Sequence, residues 1–182
     1  MKKLYAILIL CYASFFSIEK TFALTGKDLS PSAKISILTC GTGEEIYQHF
    51  GHTAIRVQDS SLAVDAVFNY GTFDFSTPNF YWKFITGRLL YSLSIDNYAD
   101  FVSNYEYQNR WVDEQTLQLT YLQKQQLFEA LLINNQPENR AYLYDFFFDN
   151  CATRPAKLVE NALGKSLHYH PSKKEYNTTI RE

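Results

Sequence analysis

Polar and apolar residues alternate along the first part of the chain, and this period of two predicts β-strands. Strands are predicted at Lys34–Thr39, Gly51–Val57 and Val64–Phe73. A short polar turn separates the last two, so they are predicted to pair as an antiparallel hairpin. If that hairpin is roughly symmetric, Asn69 returns close to His52.

Helices are predicted where the apolar period lengthens and capping residues stand. Thr77 followed by Pro78 predicts the start of an aromatic helix that ends at Gly87. Thr120 with Gln123 forms a capping box that opens a later helix. The remaining predicted elements are strands at 88–95 and 111–119 and a helix at 97–109. Together they predict an α+β fold with a mainly antiparallel sheet and packed helices.

One stretch near the C-terminus joins a predicted strand to a predicted helix. Tyr142–Phe148 is rich in aromatic residues, which favour strands. Asp149 and Asn150 are turn and capping residues, and Cys151 follows them. Ala156–Leu163 is composed of residues that can form a helix.

Pro155 determines where Cys151 lies relative to that helix. Because proline has no backbone N–H, a regular helix cannot start at Cys151 and take a bond from position 155. Thr153 or Arg154 is therefore the predicted cap, with Cys151 in the turn just ahead. A thiol near a helix N-terminus feels the positive end of the dipole, which favours its thiolate.

The composition fits one folded domain and argues against one class of partner. The chain has 182 residues, 46% of them apolar and 20% charged, which is enough to fill a core. Aromatic residues make up 16%, which indicates much β-structure, a large apolar pocket, or both. A net charge of −2 without a Lys/Arg cluster argues against nucleic acid as a partner.

The first residues predict export. Lys2 and Lys3 precede the short apolar run Leu4–Phe16, and 21–23 places small residues where a signal peptidase reads them. We therefore expect cleavage after Ala23 and delivery to a periplasm-like space. The predicted organisation is a signal peptide at 1–23, a linker at 24–33, a folded domain at 34–166 and a polar tail at 167–182.

Cys40 and Cys151 remain after that cleavage, and they allow opposed interpretations. In an oxidising compartment they can form a disulfide. Alternatively, Cys151 is a nucleophile whose proton His52 accepts and later returns, although both residues also fit an ordinary core. A third polar group would orient the imidazole. The candidates on the hairpin are Asn69 first, then Tyr70 and Asp65.

Two other features have competing interpretations. His49 lies three residues before His52, but on a strand that spacing turns the rings to opposite faces, and no third ligand stands nearby. No metal site is predicted. The aromatic helix fits either core packing or a lipid-facing, acyl-binding wall. Its candidate substrate-lining residues are Phe80, Trp82 and Phe84.

Four motifs occur together in one order and resemble a known family. They are Cys40-Gly-Thr-Gly43, Phe50-Gly-His-Thr-Ala-Ile-Arg-Val57, Phe68-Asn-Tyr-Gly-Thr-Phe-Asp-Phe75 and Tyr144-Asp-Phe-Phe-Phe-Asp-Asn-Cys-Ala-Thr-Arg154. The combination resembles the N-terminal periplasmic domain of the Lnb family, named for a lipoprotein N-acyltransferase of Bacteroides-type bacteria. The likeness covers about 34–163.

The resemblance implies a site as well as a fold. A Gly-His strand followed later by Asn-Cys before a helix is also similar to the circularly permuted papain-like fold of the lecithin:retinol acyltransferase group. It implies Cys151 as nucleophile and His52 as base, and the hairpin argument adds Asn69 as the first candidate for the third member. Supporting residues, for orientation or for the oxyanion, are expected among Asn150, Asp149 and Tyr70.

The resemblance further implies acyl transfer through a thioester. A phospholipid would be the acyl donor and the N-terminal amine of a lipoprotein the acceptor, at a membrane surface and with no cofactor. Family members usually continue into membrane-spanning helices, so we expect a truncated chain, a fragment or a soluble relative. The alternatives are a periplasmic thiol hydrolase of cell-wall peptide amides, and a non-catalytic lipid-binding domain with a Cys40–Cys151 disulfide.

Overall fold

A six-stranded antiparallel sheet forms the centre of the computed structural model, which describes residues 28–167. The strands are β1 (Lys34–Cys40), β2 (His52–Asp59), β3 (Val64–Thr72), β4 (Leu90–Asn97), β5 (Val112–Thr116) and β6 (Ala141–Leu143). Their order across the sheet is β5-β1-β2-β3-β4-β6. The predicted α+β class is confirmed, whereas the permuted papain-like detail stays a prediction.

Four α-helices pack against the sheet. They are α1 (Phe80–Ile85), α2 (Tyr98–Tyr107), α3 (Tyr121–Asn134) and α4 (Thr153–Leu163), with short 3₁₀ helices at 46–48, 60–62 and 164–166. The predicted capping box of Thr120 and Gln123 is present at the start of α3. Within residues 28–167, none of the helices has the length and apolarity needed to cross a membrane. The predicted signal peptide and the tail from 168 onwards lie outside the described residues.

Strand alternation gives the sheet two buried faces with different helices on them. On one face, Ile55 and Phe68 pack with Leu127 of α3 and Val159 of α4. On the other face, a smaller core packs α2 against the strands through Leu38, Ala54, Val67, Phe101 and Tyr105. His52, Asn69 and Asp96 lie on this second face, which α2 covers only in part.

The predicted antiparallel pairing of β2 with β3 is present. Ile55 lies opposite Phe68 and Asp59 opposite Val64. Asn69 therefore lies on the same face as His52. The turn is closed by Asp59, whose carboxylate accepts the backbone N–H of Ser61.

The predicted strand at Tyr142–Phe148 is wrong beyond Leu143, where β6 ends. The chain turns instead, because the carboxylate of Asp145 accepts the backbone N–H groups of Phe147 (2.8 Å) and Phe148 (2.9 Å). Asp145 and Asp149 also form an antiparallel bridge. A local side-chain cap thus outweighs the strand preference of the phenylalanines and leaves them exposed.

Two further boundaries differ from the prediction. Helix α1 begins after Asn79, which is left-handed at φ 57°, and Thr77 belongs to a turn that Asp74 organises. The predicted linker is also part of the fold over its described residues. Leu29 is buried, and its N–H and C=O both bond to the side chain of Gln125 on α3. This segment is ordered by tertiary packing, which the polar composition of 24–33 does not indicate.

Candidate active site

A cavity of about 1660 Å³ opens beside the ends of β2 and β3. Its walls include the predicted nucleophile, base and third member of the site: Cys151, His52 and Asn69. These three residues come from the turn before α4, from the first position of β2 and from β3. The fold therefore brings together side chains that lie far apart in sequence.

A chain of three polar side chains orients His52. Its Nε2 hydrogen-bonds the Oδ1 of Asn69, and the Nδ2 of Asn69 donates to the carboxylate of Asp96 at 3.1 Å. An ionised carboxylate only accepts, so Asp96 fixes which end of the Asn69 amide faces it. Asn69 then presents its oxygen to His52, which requires a proton on Nε2 and leaves Nδ1 as the basic nitrogen.

The surroundings of His52 keep its ring neutral. Desolvation by burial lowers the pKa of His52, while the bond to Asn69 and the charge of Asp96 act in the opposite direction. Burial is the larger effect. A neutral imidazole with a free Nδ1 is the form that can accept a proton from a thiol.

Cys151 lies in a turn that Asn150 builds. The Oδ1 of Asn150 accepts the backbone N–H groups of Ala152 and Thr153, each at 2.9 Å. Its Nδ2 donates to the carbonyl of Phe146 at 2.8 Å. The helix begins at Thr153, so the prediction that Cys151 precedes α4 is confirmed.

This capping changes which backbone groups are free to hold an oxyanion. The N–H groups of Ala152 and Thr153 bond to Asn150, and that of Arg154 donates to the Asn150 carbonyl at 3.1 Å. These backbone donors at the start of the helix are therefore already occupied. Within residues 28–167, the N–H of Cys151 itself has no acceptor.

Gly71 connects the two halves of the site. It follows Asn69 by two residues, at a register shift between β3 and β4, and its backbone is left-handed at φ +88°. A Cβ placed on Gly71 would lie 3.5 Å from the Cβ of Cys151. One short segment of β3 thus contacts His52 through Asn69 and Cys151 through Gly71.

Tyr144 is a neighbour of Cys151 that the sequence reasoning did not select. It lines the cavity, and its hydroxyl interacts with the Cys151 thiol. Its ring stacks on Tyr91 with centroids 4.5 Å apart, which fixes its orientation. Burial raises the pKa of Tyr144, so the hydroxyl stays protonated and can donate a hydrogen bond.

Cys40 has a different environment from Cys151. It is buried, and desolvation raises its pKa to about 11. The Tyr105 hydroxyl hydrogen-bonds its sulfur. Both cysteines are free thiols, so the alternative of a Cys40–Cys151 disulfide is wrong for this structure. Of the two, only Cys151 is partly exposed.

The other candidates for orienting His52 or for supporting the site include Asp149, Tyr70 and Asp65. Asp149 pairs with Arg154 through two bonds of 2.7 Å, and that guanidinium lies 3.5 Å from the centroid of Tyr142. Tyr70 is buried on the opposite face of the sheet, and its hydroxyl has no hydrogen-bond partner among residues 28–167. Asp65 is bound by Arg56 through two bonds of 2.7 and 2.8 Å. Tyr70 and Asp65 therefore do not orient His52, and Asn69 does.

The aromatic helix α1 divides its side chains between the two predicted roles. Phe84 lines the cavity. Phe80 is buried and packs on Phe73 and Phe75, with centroids 5.6 and 4.8 Å apart. Trp82 is 66% exposed. Their roles toward a substrate stay predictions.

His49 does not approach His52 as a second ligand would. Its Nε2 bonds to the carbonyl of Glu44 at 3.1 Å, in the loop before β2. Across the described residues there is no group of three or more His, Cys, Asp or Glu side chains that could hold a metal ion.

The sequence contained a signal for one of the missed residues. Ser94 and Asp96 are polar positions that alternate with apolar residues on β4, which marks them as facing a polar neighbour. Gly71 and Tyr144 gave no comparable signal, because their contacts depend on a β-bulge and a turn that the local pattern does not specify.

The family model for the Lnb N-terminal periplasmic domain matches residues 23–182 of this chain. The match spans all the elements that line the cavity. No curated protein and no solved structure shows a significant match to the chain.

Proposed function

This chain belongs to the family of Lnb N-terminal periplasmic domains, and on that premise we propose that it is a cysteine-dependent acyltransferase. Its donor would be a phospholipid and its acceptor the N-terminal amine of a lipoprotein. The observation that carries the proposal is a partly exposed Cys151 before α4, in one cavity with a His52 that Asn69 and Asp96 orient.

In the first step, the Cys151 thiol gives its proton to the Nδ1 of His52. The sulfur attacks the carbonyl carbon of the phospholipid ester, so that an S–C bond forms. The ester C–O bond then breaks, and the departing alkoxide of the lysophospholipid takes the proton from His52. The products are an acyl thioester on Cys151 and a lysophospholipid.

In the second step, the free amine of the lipoprotein attacks the thioester carbonyl. An N–C bond forms, the S–C bond breaks, and His52 takes a proton from the nitrogen and returns one to the sulfur. The amide product leaves and the Cys151 thiol is restored. No cofactor is needed, because the energy of the ester is retained in the thioester.

Two donors support stabilisation of the oxyanion in both steps. The N–H of Cys151 has no acceptor among residues 28–167, and the Tyr144 hydroxyl interacts with the Cys151 side chain. Preorganised donors beside the reacting carbonyl are the usual means of lowering the barrier to acyl transfer. This pair replaces the helix-start amides that Asn150 occupies.

The walls of the cavity suit an acyl chain. Aromatic rings line one region of it: Phe73, Phe75, Phe84 and Tyr91. Phe73 contacts Phe75 and Tyr91 edge to face at 5.1 and 5.2 Å, and Phe84 stacks on Phe80, which packs on Phe73 and Phe75. A volume of about 1660 Å³ exceeds what a small polar substrate needs.

The test is transfer by the purified full chain from a phospholipid to a synthetic peptide that begins with diacylglyceryl-cysteine. We expect an N-acylated peptide in the product. Cys151→Ala should abolish the product, and His52→Ala should lower the rate by about 10²–10⁴-fold.

Cys40→Ala is the matched control, since it removes the other thiol of the cavity. It should retain transfer if it folds, which circular dichroism would verify. Transfer that persists in folded Cys151→Ala would overturn the proposal. Loss of transfer in folded Cys40→Ala but not in Cys151→Ala would overturn the choice of nucleophile.

A further inference from the structure

Large apolar side chains are exposed on two elements beside the cavity. We call this surface the aromatic rim, and it consists of Tyr81, Trp82 and Ile85 on α1 and Phe146, Phe147 and Phe148 in the turn after β6. Ile85 is 77% exposed and Phe148 is 74% exposed. Contiguous exposed patches of this kind usually mark an interaction site.

The two parts of the rim are connected across the sheet. Leu90 follows α1 and pairs with Leu143 at the end of β6, and both side chains are exposed. At the other end, Phe50 contacts Phe146 with centroids 4.6 Å apart. The exposed apolar surface therefore runs from α1 through β4 and β6 to the turn before Cys151.

The rim also adjoins the cavity. Phe84 of α1 and Phe146 of the turn each line it, as does Phe50. A lipid chain that leaves a bilayer at the rim would meet cavity walls on the same elements. The position of the rim is thus suited to a substrate that enters from a lipid phase.

Charge distinguishes a lipid surface from a neutral apolar partner. Lys83 and Arg88 lie on and just after α1, and Lys157 reaches the carbonyl of Phe148 at 3.3 Å. The nearby carboxylates have other partners. Asp74 bonds Ser76, Asp145 accepts backbone N–H groups of the turn, and Asp149 binds Arg154.

We propose that the aromatic rim docks the protein onto an anionic bilayer. Aromatic residues favour the interface between headgroups and acyl chains, and Lys and Arg beside them attract anionic headgroups. The proposal rests on the proposed function for the identity of its substrate. Its own claim is binding to a lipid surface, which occurs without catalysis.

The experiment measures flotation of the purified full chain with vesicles of phosphatidylethanolamine and phosphatidylglycerol. Two double variants remove the parts of the rim: W82A/I85A and F147A/F148A. Each should lower the bound fraction several-fold. Tyr107→Ala is the matched control, because it removes an aromatic residue that is 92% exposed at the end of α2, outside the rim.

Fluorescence locates the contact. The chain has two tryptophans, so Trp111→Phe leaves Trp82 as the only reporter. Its emission should shift to shorter wavelength on vesicles that contain phosphatidylglycerol and shift less on phosphatidylcholine alone. Circular dichroism verifies that every variant folds.

The outcomes separate this inference from the proposed function. Cys151→Ala should bind vesicles as the parent does, so that docking is measured even if no transfer is found. Equal binding by the parent and both double variants would overturn the inference and point to residues 1–27 or 168–182. Self-association that the double variants abolish, without vesicle binding, would identify a second copy as the occupant and would also overturn it.

Discussion

Asp96 determines the protonation of His52 through one intervening amide. Its carboxylate accepts the Asn69 Nδ2, and the Asn69 oxygen then requires a proton on His52 Nε2. Asp96→Asn can donate as well as accept, so the Asn69 amide loses the constraint on its orientation. Acyl transfer should fall about tenfold or more, in line with the contribution of a positioned base. Asp113→Asn, which makes the same change at an exposed position of β5, should leave the rate unchanged.

The pH dependence of the rate follows from the burial of His52. Only the neutral ring can accept the thiol proton, and burial lowers the pKa of His52 from its usual value near 6.5. The rate should therefore remain high as the pH falls to 6.5 and decline only below it. A rate profile of transfer or of Cys151 alkylation checks this. An acid limb centred above pH 6.5 would contradict a buried neutral base.

Tyr144 is expected to act on Cys151 as a hydrogen-bond donor. Tyr144→Phe removes the hydroxyl but keeps the ring that stacks on Tyr91, so the thiolate loses a donor. Alkylation of Cys151 at pH 7 should slow several-fold. Tyr91→Phe is the matched control, because it removes a hydroxyl from the stacked neighbour. An equal effect of both variants would indicate general loosening of the stack.

Single residues of the site could be predicted from the sequence where chemistry and chain order both constrained them. Cys151 and His52 satisfied both conditions, and Asn69 followed from the hairpin register. Tyr70, one position later, lies on the opposite face. The alternation of side chains along β3 therefore decides which of the two residues can reach His52. Asp96 depended on the pairing of β3 with β4, which the sequence alone did not give.

At the level of elements, β3 connects His52 to Cys151, the proposed base and nucleophile. The register shift at Gly71 ends its regular pairing and brings the backbone against Cys151. Only a residue without a side chain fits a φ of +88° without strain and leaves this contact open. The bulge is thus part of the site.

Gly71→Ala tests that role. Its left-handed φ should cost about 1–2 kcal/mol of unfolding free energy, and its methyl group would be in van der Waals contact with the Cβ of Cys151 at 3.5 Å. Gly87→Ala is the control, because its φ is +65° with no atom within 4 Å of the added Cβ. Chemical denaturation should show comparable losses, whereas Cys151 alkylation should change only in Gly71→Ala. Equal alkylation rates would argue against the contact.

Elements with strong local signals were predicted well, and those decided by competing caps were not. The capping box of Thr120 and Gln123 opens α3 as expected. The phenylalanines at 146–148 have strand preference, yet Asp145 caps their N–H groups and turns the chain. In the same way, the carboxylate of Asp74 accepts hydrogen bonds from Ser76 and forms a turn, so α1 begins later than predicted. Short polar side chains thus moved the boundaries.

In the whole molecule, the two faces of the sheet have separate tasks. One face holds the main core with α3 and α4, and Cys151 lies in the turn just before α4. The other face holds α2 and the polar chain from Asp96 to His52. The cavity lies where these faces meet at one end of the sheet. The fold class was predictable from periodicity. The position of the cavity was not, because it depends on how α4 packs against the sheet.

The central claim is that Cys151 becomes acylated by a lipid. The most direct measurement incubates the purified full chain with phospholipid and no acceptor, and then weighs the peptide that contains Cys151. The account predicts a mass increase equal to one acyl chain, released by hydroxylamine as a thioester is, and absent from Cys151→Ala. An unmodified Cys151 peptide beside an acylated Cys40 or any other residue would contradict it.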